Sequence, residues 1–213
     1  WYRTEGNTEV LISNSDLATI TEIGNYRLDL IYSYNNNQQF CLNSKEFVVT
    51  PSNIAVIKNV EIRDIRSNNT LTVLVTGDGD YEYALDDING PYQNSNIFEN
   101  VQIGFRDIYV RDKKGCGING PHTVSVIGYP KMFTPNGDQV NDTWQLEGVN
   151  AQFQVNSKIF IFDRYGALVT KITPTSKGWD GNYRGKPVPE SDYWFRVKLE
   201  DGRDFNGHFA LKR

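Results

Sequence analysis

The residues in this 213-residue chain with the chemistry for catalysis or metal binding are few and scattered. Cys116 and His122 stand six positions apart, a spacing that would suit a thiol nucleophile and its base, but no third group beside them orients the imidazole. His122 and His208 are the only histidines. They fall in different parts of the chain, which excludes a multi-histidine metal centre. Asp86 and Asp87 form a carboxylate pair, yet neighbouring residues on a strand point to opposite faces and cannot flank one glycosidic bond. No GxSxG elbow, Walker loop, GxGxxG turn or HExxH helix occurs, and no catalytic residue is assigned. The densest oxygen-bearing cluster is Asn136, Asp138, Asn141 and Asp142. Pro135 sets its own backbone angle and holds Thr134 extended, so the chain should leave a strand at Phe133 and enter a loop. There the four side chains can close Asx turns, with Gly137 free to take a positive φ. A self-bonded, metal-free loop is the expectation and no cofactor is implied. Calcium is the alternative, although the spacing is not that of an EF-hand and no bidentate Glu follows.

The elements that must carry these residues are strands. Leu71, Val73 and Val75 alternate with polar neighbours, as do Tyr81, Tyr83 and Leu85. Tyr193, Phe195, Val197 and Leu199 do the same against Arg196, Lys198 and Glu200. Tight-turn sequences separate them, among them Gly77-Asp78-Gly79-Asp80, Asn89-Gly90-Pro91, Asp163-Arg164-Tyr165-Gly166, Asp180-Gly181 and Asp201-Gly202. The fold class is all-β, built of tandem Ig-like antiparallel β-sandwich modules. A net charge of −4 with interspersed signs leaves no footprint for nucleic acid. No apolar run nears the roughly 20 residues that cross a bilayer, so the chain is not itself expected to span a membrane.

An internal repeat sets the module boundaries. Gly24-Asn25-Tyr26-Arg27-Leu28-Asp29-Leu30 leads to Cys41 and the strand Phe47-Val48-Val49. In the same order, Gly104-Phe105-Arg106-Asp107-Ile108-Tyr109-Val110 leads to Cys116 and Thr123-Val124-Ser125-Val126. Each copy has the pattern of the last hairpin of a sandwich. The modules are 1–51, 52–127 and 128–213. The first is expected to be partial, because Trp1-Tyr2-Arg3 has the character of a central Trp strand with no strands before it. The start at Trp1, without Met or a leader, suggests sequence upstream. Equivalent loops in successive modules lie too far apart for a Cys41–Cys116 disulfide, which leaves Cys116 as a buried or half-buried thiol and Cys41 with a partner upstream. The alternative has both cysteines stapling one module.

From Tyr129 to Trp144 the sequence reads Tyr-Pro-Lys-Met-Phe-Thr-Pro-Asn-Gly-Asp-Gln-Val-Asn-Asp-Thr-Trp. It closely resembles the opening of the type B C-terminal sorting domain of type IX secretion substrates, the gliding motility-associated C-terminal domain, with its FTPNGDGxND(x)W motif. The resemblance continues through Ile161-Phe162-Asp163-Arg164-Tyr165-Gly166, Gly178-Trp179-Asp180-Gly181, Gly185-Lys186-Pro187-Val188-Pro189 and Asp192-Tyr193-Trp194 to Gly207–Arg213. Gln139 departs from it, where that family commonly has Gly. Gly79–Asp86 more loosely resembles a repeated strand of SprB-like gliding adhesins of Bacteroidota. The resemblance implies a β-sandwich sorting domain at the end of a secreted adhesin. It would be recognised by type IX translocon components and a PorP/SprF-like outer-membrane protein and delivered to the cell surface, in association with the outer membrane.

Trp144 and Trp179 are expected in the core. Alternation with Tyr193 and Phe195 turns Trp194 outward, a docking contact for a partner. Phe205 to Lys212 form a last strand, whose edge could add to a partner's sheet, and Lys212 and Arg213 could meet an acidic surface. The candidate partner-binding set is therefore Trp194, Phe205, Phe209, Lys212 and Arg213. Two other functions remain open: carbohydrate- or calcium-binding extracellular modules, and a structural subunit of a surface filament.

Overall fold

A computed structural model describes residues 1–34 and 39–213. Among the described residues there are strands and turns and no helix. In chain order the strands are β1 (Tyr2–Glu5), β2 (Thr8–Leu11), β3 (Gly24–Tyr34), β4 (Gln39–Val49), β5 (Val56–Arg63), β6 (Thr70–Thr76), β7 (Tyr81–Leu85), β8 (Ile97–Phe98) and β9 (Gly104–Asp112). They continue with β10 (Ile118–Val126), β11 (Met132–Phe133), β12 (Lys158–Phe162), β13 (Leu168–Ile172), β14 (Asn182–Tyr183), β15 (Lys186–Pro187), β16 (Ser191–Lys198) and β17 (Asp204–Leu211).

The N-terminal strands form one four-stranded antiparallel sheet in the order β2-β1-β3-β4. Among the described residues no second sheet faces it, Leu30, Tyr32 and Leu42 are exposed, and Tyr26 is buried. The next region is a two-layer sandwich. One sheet runs β5-β6-β8 and the other β10-β9-β7. Alternation along β6 and β9 sends Leu71, Val73, Ile108 and Val110 into a shared core with Tyr83, Phe98, Val124 and Val126. Cys41 lies on β4 and Cys116 in the β9–β10 turn. Both are free and exposed, which corrects the expected burial of Cys116. In this turn the Cys116 N–H donates to Asp112 at 3.1 Å and holds the backbone of an exposed residue.

The C-terminal region is a five-stranded sheet, β11-β17-β16-β12-β13, backed by loops and the small β14–β15 hairpin. Its core holds Ile127, Phe133, Trp144, Ile159, Ile161, Trp179, Tyr193, Phe195, Val197, Phe209 and Leu211. Ile127 thus packs with the last core and not with the sandwich before it. β11 joins β17 in parallel, Met132 beside Ala210 and Phe133 beside Leu211. That pairing brings the two ends of the region together.

The last two regions are joined by a buried ionic contact. The Asp64 carboxylate accepts the Ile127 N–H at 2.7 Å and pairs with Arg203. Arg203 also donates to the Ser125 carbonyl at 3.1 Å and to Asp201 at 2.7 Å. Phe105 meets Phe153 beside this contact at 5.2 Å between ring centroids.

Candidate functional site

The loop after β11 closes on itself. Asn136 Oδ1 accepts the Asp138 N–H at 3.1 Å, Asp138 Oδ1 accepts the Val140 N–H at 2.8 Å, and the two oxygens of Asp142 accept the Gly137 and Gln139 N–H groups, each at 2.7 Å. Thr134 N–H donates to the Asn141 carbonyl at 2.8 Å and ties the loop base. The Asn136 amide, and next the Val140 N–H, hold the Asp138 carboxyl below the usual carboxylate range. Among the described residues no group of three or more His, Cys, Asp or Glu side chains is placed to hold a metal ion. Gln139 has a φ of 72°, in the left-handed region that glycine occupies at little cost.

Two tryptophans anchor the loop to the sheet. Trp144 and Trp179 exchange backbone hydrogen bonds at 2.9 and 2.8 Å. Trp144 stacks on Phe209 with ring centroids 4.0 Å apart, and its Nε1–H donates to the Pro130 carbonyl at 2.9 Å. Both rings are buried, because a large apolar surface with a single N–H donor is accommodated inside once that donor finds a carbonyl.

The candidate docking residues separate. Phe209 faces inward and is wholly buried, so it cannot meet a partner while the module is folded. Phe205 pairs with Val197, shares the inner face and packs against the core. Both corrections have one cause: period two shows that Phe205 and Phe209 share a face, and pairing with Val197 and Tyr193 decides that it is the inner one. Arg213 folds back onto its own module, donating to the Gly181 carbonyl at 3.1 Å and the Val188 carbonyl at 2.5 Å. Lys212 is exposed. Trp194 is 41% exposed and lies on the outer face. β17 has β16 along its full length and β11 only at Ala210 and Leu211, so its other edge is open along Asp204–Phe209.

The outer face of this sheet extends beyond Trp194. The register aligns His208, Trp194, Phe162 and Leu168 in one row, and Asn206, Arg196, Phe160 and Lys171 in the next. Lys158 lies directly opposite Lys198, while Arg196 is paired with Asp204 at 3.1 Å. Lys171 sits 5.5 Å from the Phe160 ring centre. The outer face thus carries an aromatic row, with Lys158 and Lys198 two rows away beside Asp204. Phe160 and Phe162 were missed in the sequence, although the run Ile159-Phe160-Ile161-Phe162 is apolar on both faces, and a strand of that kind has something to cover on each side.

Elsewhere the residues with chemical potential serve the fold. Asp86 accepts from Arg106 at 2.9 Å and from the Asp107 N–H at 3.1 Å. His122 lies opposite Ile108 on an exposed stretch of β10. No helix among the described residues is long and apolar enough to cross a membrane.

No curated protein matches the chain. Among solved structures it is similar to the BSP domain of a biofilm associated protein, at 9% identity and a TM-score of 0.28, covering 73% of this chain and 29% of that one. It is also similar to dimeric latent PorU from Porphyromonas gingivalis, at 14% identity and a TM-score of 0.28, covering 96% and 25%. A third is the Bacteroides ovatus mixed-linkage glucan utilization locus SGBP-B in complex with a mixed-linkage heptasaccharide, at 14% and 0.22, covering 96% and 57%. The chain spans between a quarter and just over half the length of these proteins, and no common function follows from scores of that size. The profile of the CHU_C type IX secretion signal domain matches residues 127–211. These are the residues that share the C-terminal core from Ile127 to Leu211. Residues 127–211 are therefore the part of the chain that matches the type IX secretion signal domain family.

Proposed function

We propose that this chain is the C-terminal part of a cell-surface adhesin. Its last module acts as the export address, and the outer face of its five-stranded sheet is the surface that type IX translocon components, or a PorP/SprF-like outer-membrane protein, recognise. The observation that carries this reading is the match of the sorting-signal profile to the residues that share the C-terminal core. The face itself supports it. Lys158 lies opposite Lys198 on the same outer face as exposed Trp194, two rows along the strands, and a face carrying lysines and an exposed indole suits an acidic, aromatic-accepting partner. The two regions before it serve as stalk in attachment or gliding.

The test is a reporter carrying residues 127–213, with a second carrying 52–213 so that Asp64 is retained, expressed in a host with a working type IX system. Surface exposure of both is expected. Trp194→Ala combined with Lys158→Glu should lower export of a reporter that still folds. Retention of both unsubstituted reporters in the periplasm would refute the export reading, and full export of the double variant would refute the choice of face.

A further inference from the structure

At one side of the C-terminal sheet, β13 pairs with β12 and, among the described residues, has no strand beyond it. One row of its N–H and C=O groups is therefore without a strand partner. A slot of about 190 Å³ lies beside this edge, between β13 and the β14–β15 hairpin. Leu168 and Val169 line it from the strand, Tyr183, Val188 and Pro189 from the hairpin segment, and buried Tyr193 from the core. The register shift between Ile161 and Phe162 leaves Val169 as the extra residue of a β-bulge, a device that re-aims side chains. Sites for free small molecules run to about 300–1,000 Å³, so this slot takes a single side chain.

Two turns flank the slot. In the first, residues 163–166, Asp163 Oδ1 accepts the Tyr165 and Ala167 N–H groups, each at 2.9 Å. Its tip carries Tyr165, 80% exposed, with the Arg164 guanidinium 5.1 Å from the ring centre. The tip of the β14–β15 hairpin repeats the arrangement, with Arg184 5.2 Å from the Tyr183 ring centre. Arg184 and Gly185 have φ values of 51° and 75°, the two-residue turn that prefers Asn-Gly. An arginine at its first position gives up backbone ease and sets a cation next to Tyr183 of the slot. Arg164, Arg184 and Lys186 are exposed and, among the described residues, form no ion pair. On a chain of net charge −4 they make a locally basic rim that neither the core nor the turns require.

We propose that β13 and this slot together accept an extended segment of a partner protein, in which one apolar side chain is flanked by acidic residues. The segment adds to the sheet as a sixth strand, its main chain pairing with the open row of β13. Every second side chain then points toward the hairpin. The apolar one enters the slot, and the acidic ones two positions to either side meet the rim of Arg164, Arg184 and Lys186. Charge selects this occupant: main-chain pairing is indifferent to sequence, whereas the basic rim draws an acidic strand and repels a basic one. The site shares Leu168 alone with the aromatic rows of the outer face, so its failure and that of the export face are separable.

The test titrates the 213-residue chain into the fluorescein-labelled peptide Thr-Glu-Thr-Leu-Thr-Glu-Thr and follows its anisotropy. Saturable binding is expected. Replacing the peptide's Leu by Ser, or both of its Glu by Lys, should each weaken binding at least tenfold. The exposed tips allow Arg164→Glu with Arg184→Glu, and this chain should reverse the preference and bind the lysine peptide better than the glutamate one. Unlabelled peptide at saturation should slow amide exchange within Leu168–Ile172 and leave Ile108 and Val110 unchanged as the folding control. No saturable binding of the first peptide, equal binding of the serine peptide, or unchanged exchange within Leu168–Ile172 would overturn the proposal. So would a 213-residue chain that sediments as a dimer with these amides protected before peptide is added, since a second copy would then hold the edge.

Discussion

Replacing Arg203 by Met tests the joint between the sandwich and the sorting module. The Asp64 side chain is 1% exposed and its Oδ1 has no hydrogen-bond partner, so Arg203 supplies its counter-charge. Burial pushes the Asp64 carboxyl up, while the Ile127 N–H and the Arg203 cation oppose that rise. Removing one member of a buried pair typically costs about 3–5 kcal/mol. Protonation offers an escape. From an ordinary Asp value near 3.9, neutralising the carboxyl costs about 4 kcal/mol at pH 7 and about 1.5 kcal/mol at pH 5, at roughly 1.36 kcal/mol per pH unit. The variant's Asp64 has a raised folded-state pKa, so this contribution favours the docked joint below the unfolded value and is lost as pH rises through the folded one. The Ile127 amide reports opening directly, because its acceptor is Asp64 Oδ2. Native-state hydrogen exchange corrected for intrinsic pH dependence should show protection at Ile127 falling by two to three orders of magnitude at pH 7, but only about tenfold at pH 5. Asp64→Asn together with Arg203→Met leaves an acceptor for Ile127 and no unpaired buried charge, and should restore most of the protection. A loss below fivefold at pH 7, or one equal at the two pH values, would refute the assignment of Arg203 as the compensating charge.

Three further outcomes follow from the sorting module. Phe209→Ala should destabilise it by about 3–5 kcal/mol in urea denaturation, whereas Trp194→Ala should shift stability by no more than about 1 kcal/mol, since one ring is in the core and the other on the outer face. Gln139→Gly should stabilise the loop by about 0.5 kcal/mol in the same assay: relief of a left-handed backbone is worth about 1–2 kcal/mol, and the greater freedom of glycine in the unfolded chain offsets part of it. Because the Asp138 carboxyl is held low by Asn136 and the Val140 N–H, its contribution to loop closure is present above the ordinary Asp value and lost as pH falls through the folded one. Amide protection at Val140 should therefore persist at pH 5, begin to fall below the ordinary Asp value of about pH 3.9, and be lost only at still lower pH.

Much of this architecture was legible in the residues. Alternation separated Tyr193, Phe195, Val197 and Leu199 from Arg196, Lys198 and Glu200, and the structure buries the first set and exposes the second. The repeated hairpins, the central Trp144 and Trp179, the self-bonded Asn136–Asp142 loop and the sorting-domain motifs were equally local signals. Phe205 and Phe209 show the limit of that reading. A period of two states which residues share a face and leaves open what lies against it, and only pairing with β16 turned this face inward.

The sequence by itself determined the strands, their turns and the sorting signature. These depend on side-chain period, backbone allowance and motif order within short stretches. Tertiary structure decided the parallel pairing of β11 with β17, the solvent exposure of Cys116, the basic aromatic sheet face and the contact of Asp64 with Arg203 across 139 positions. Each of these is a contact or an exposure set by which distant segments become neighbours, and no local periodicity encodes a neighbour.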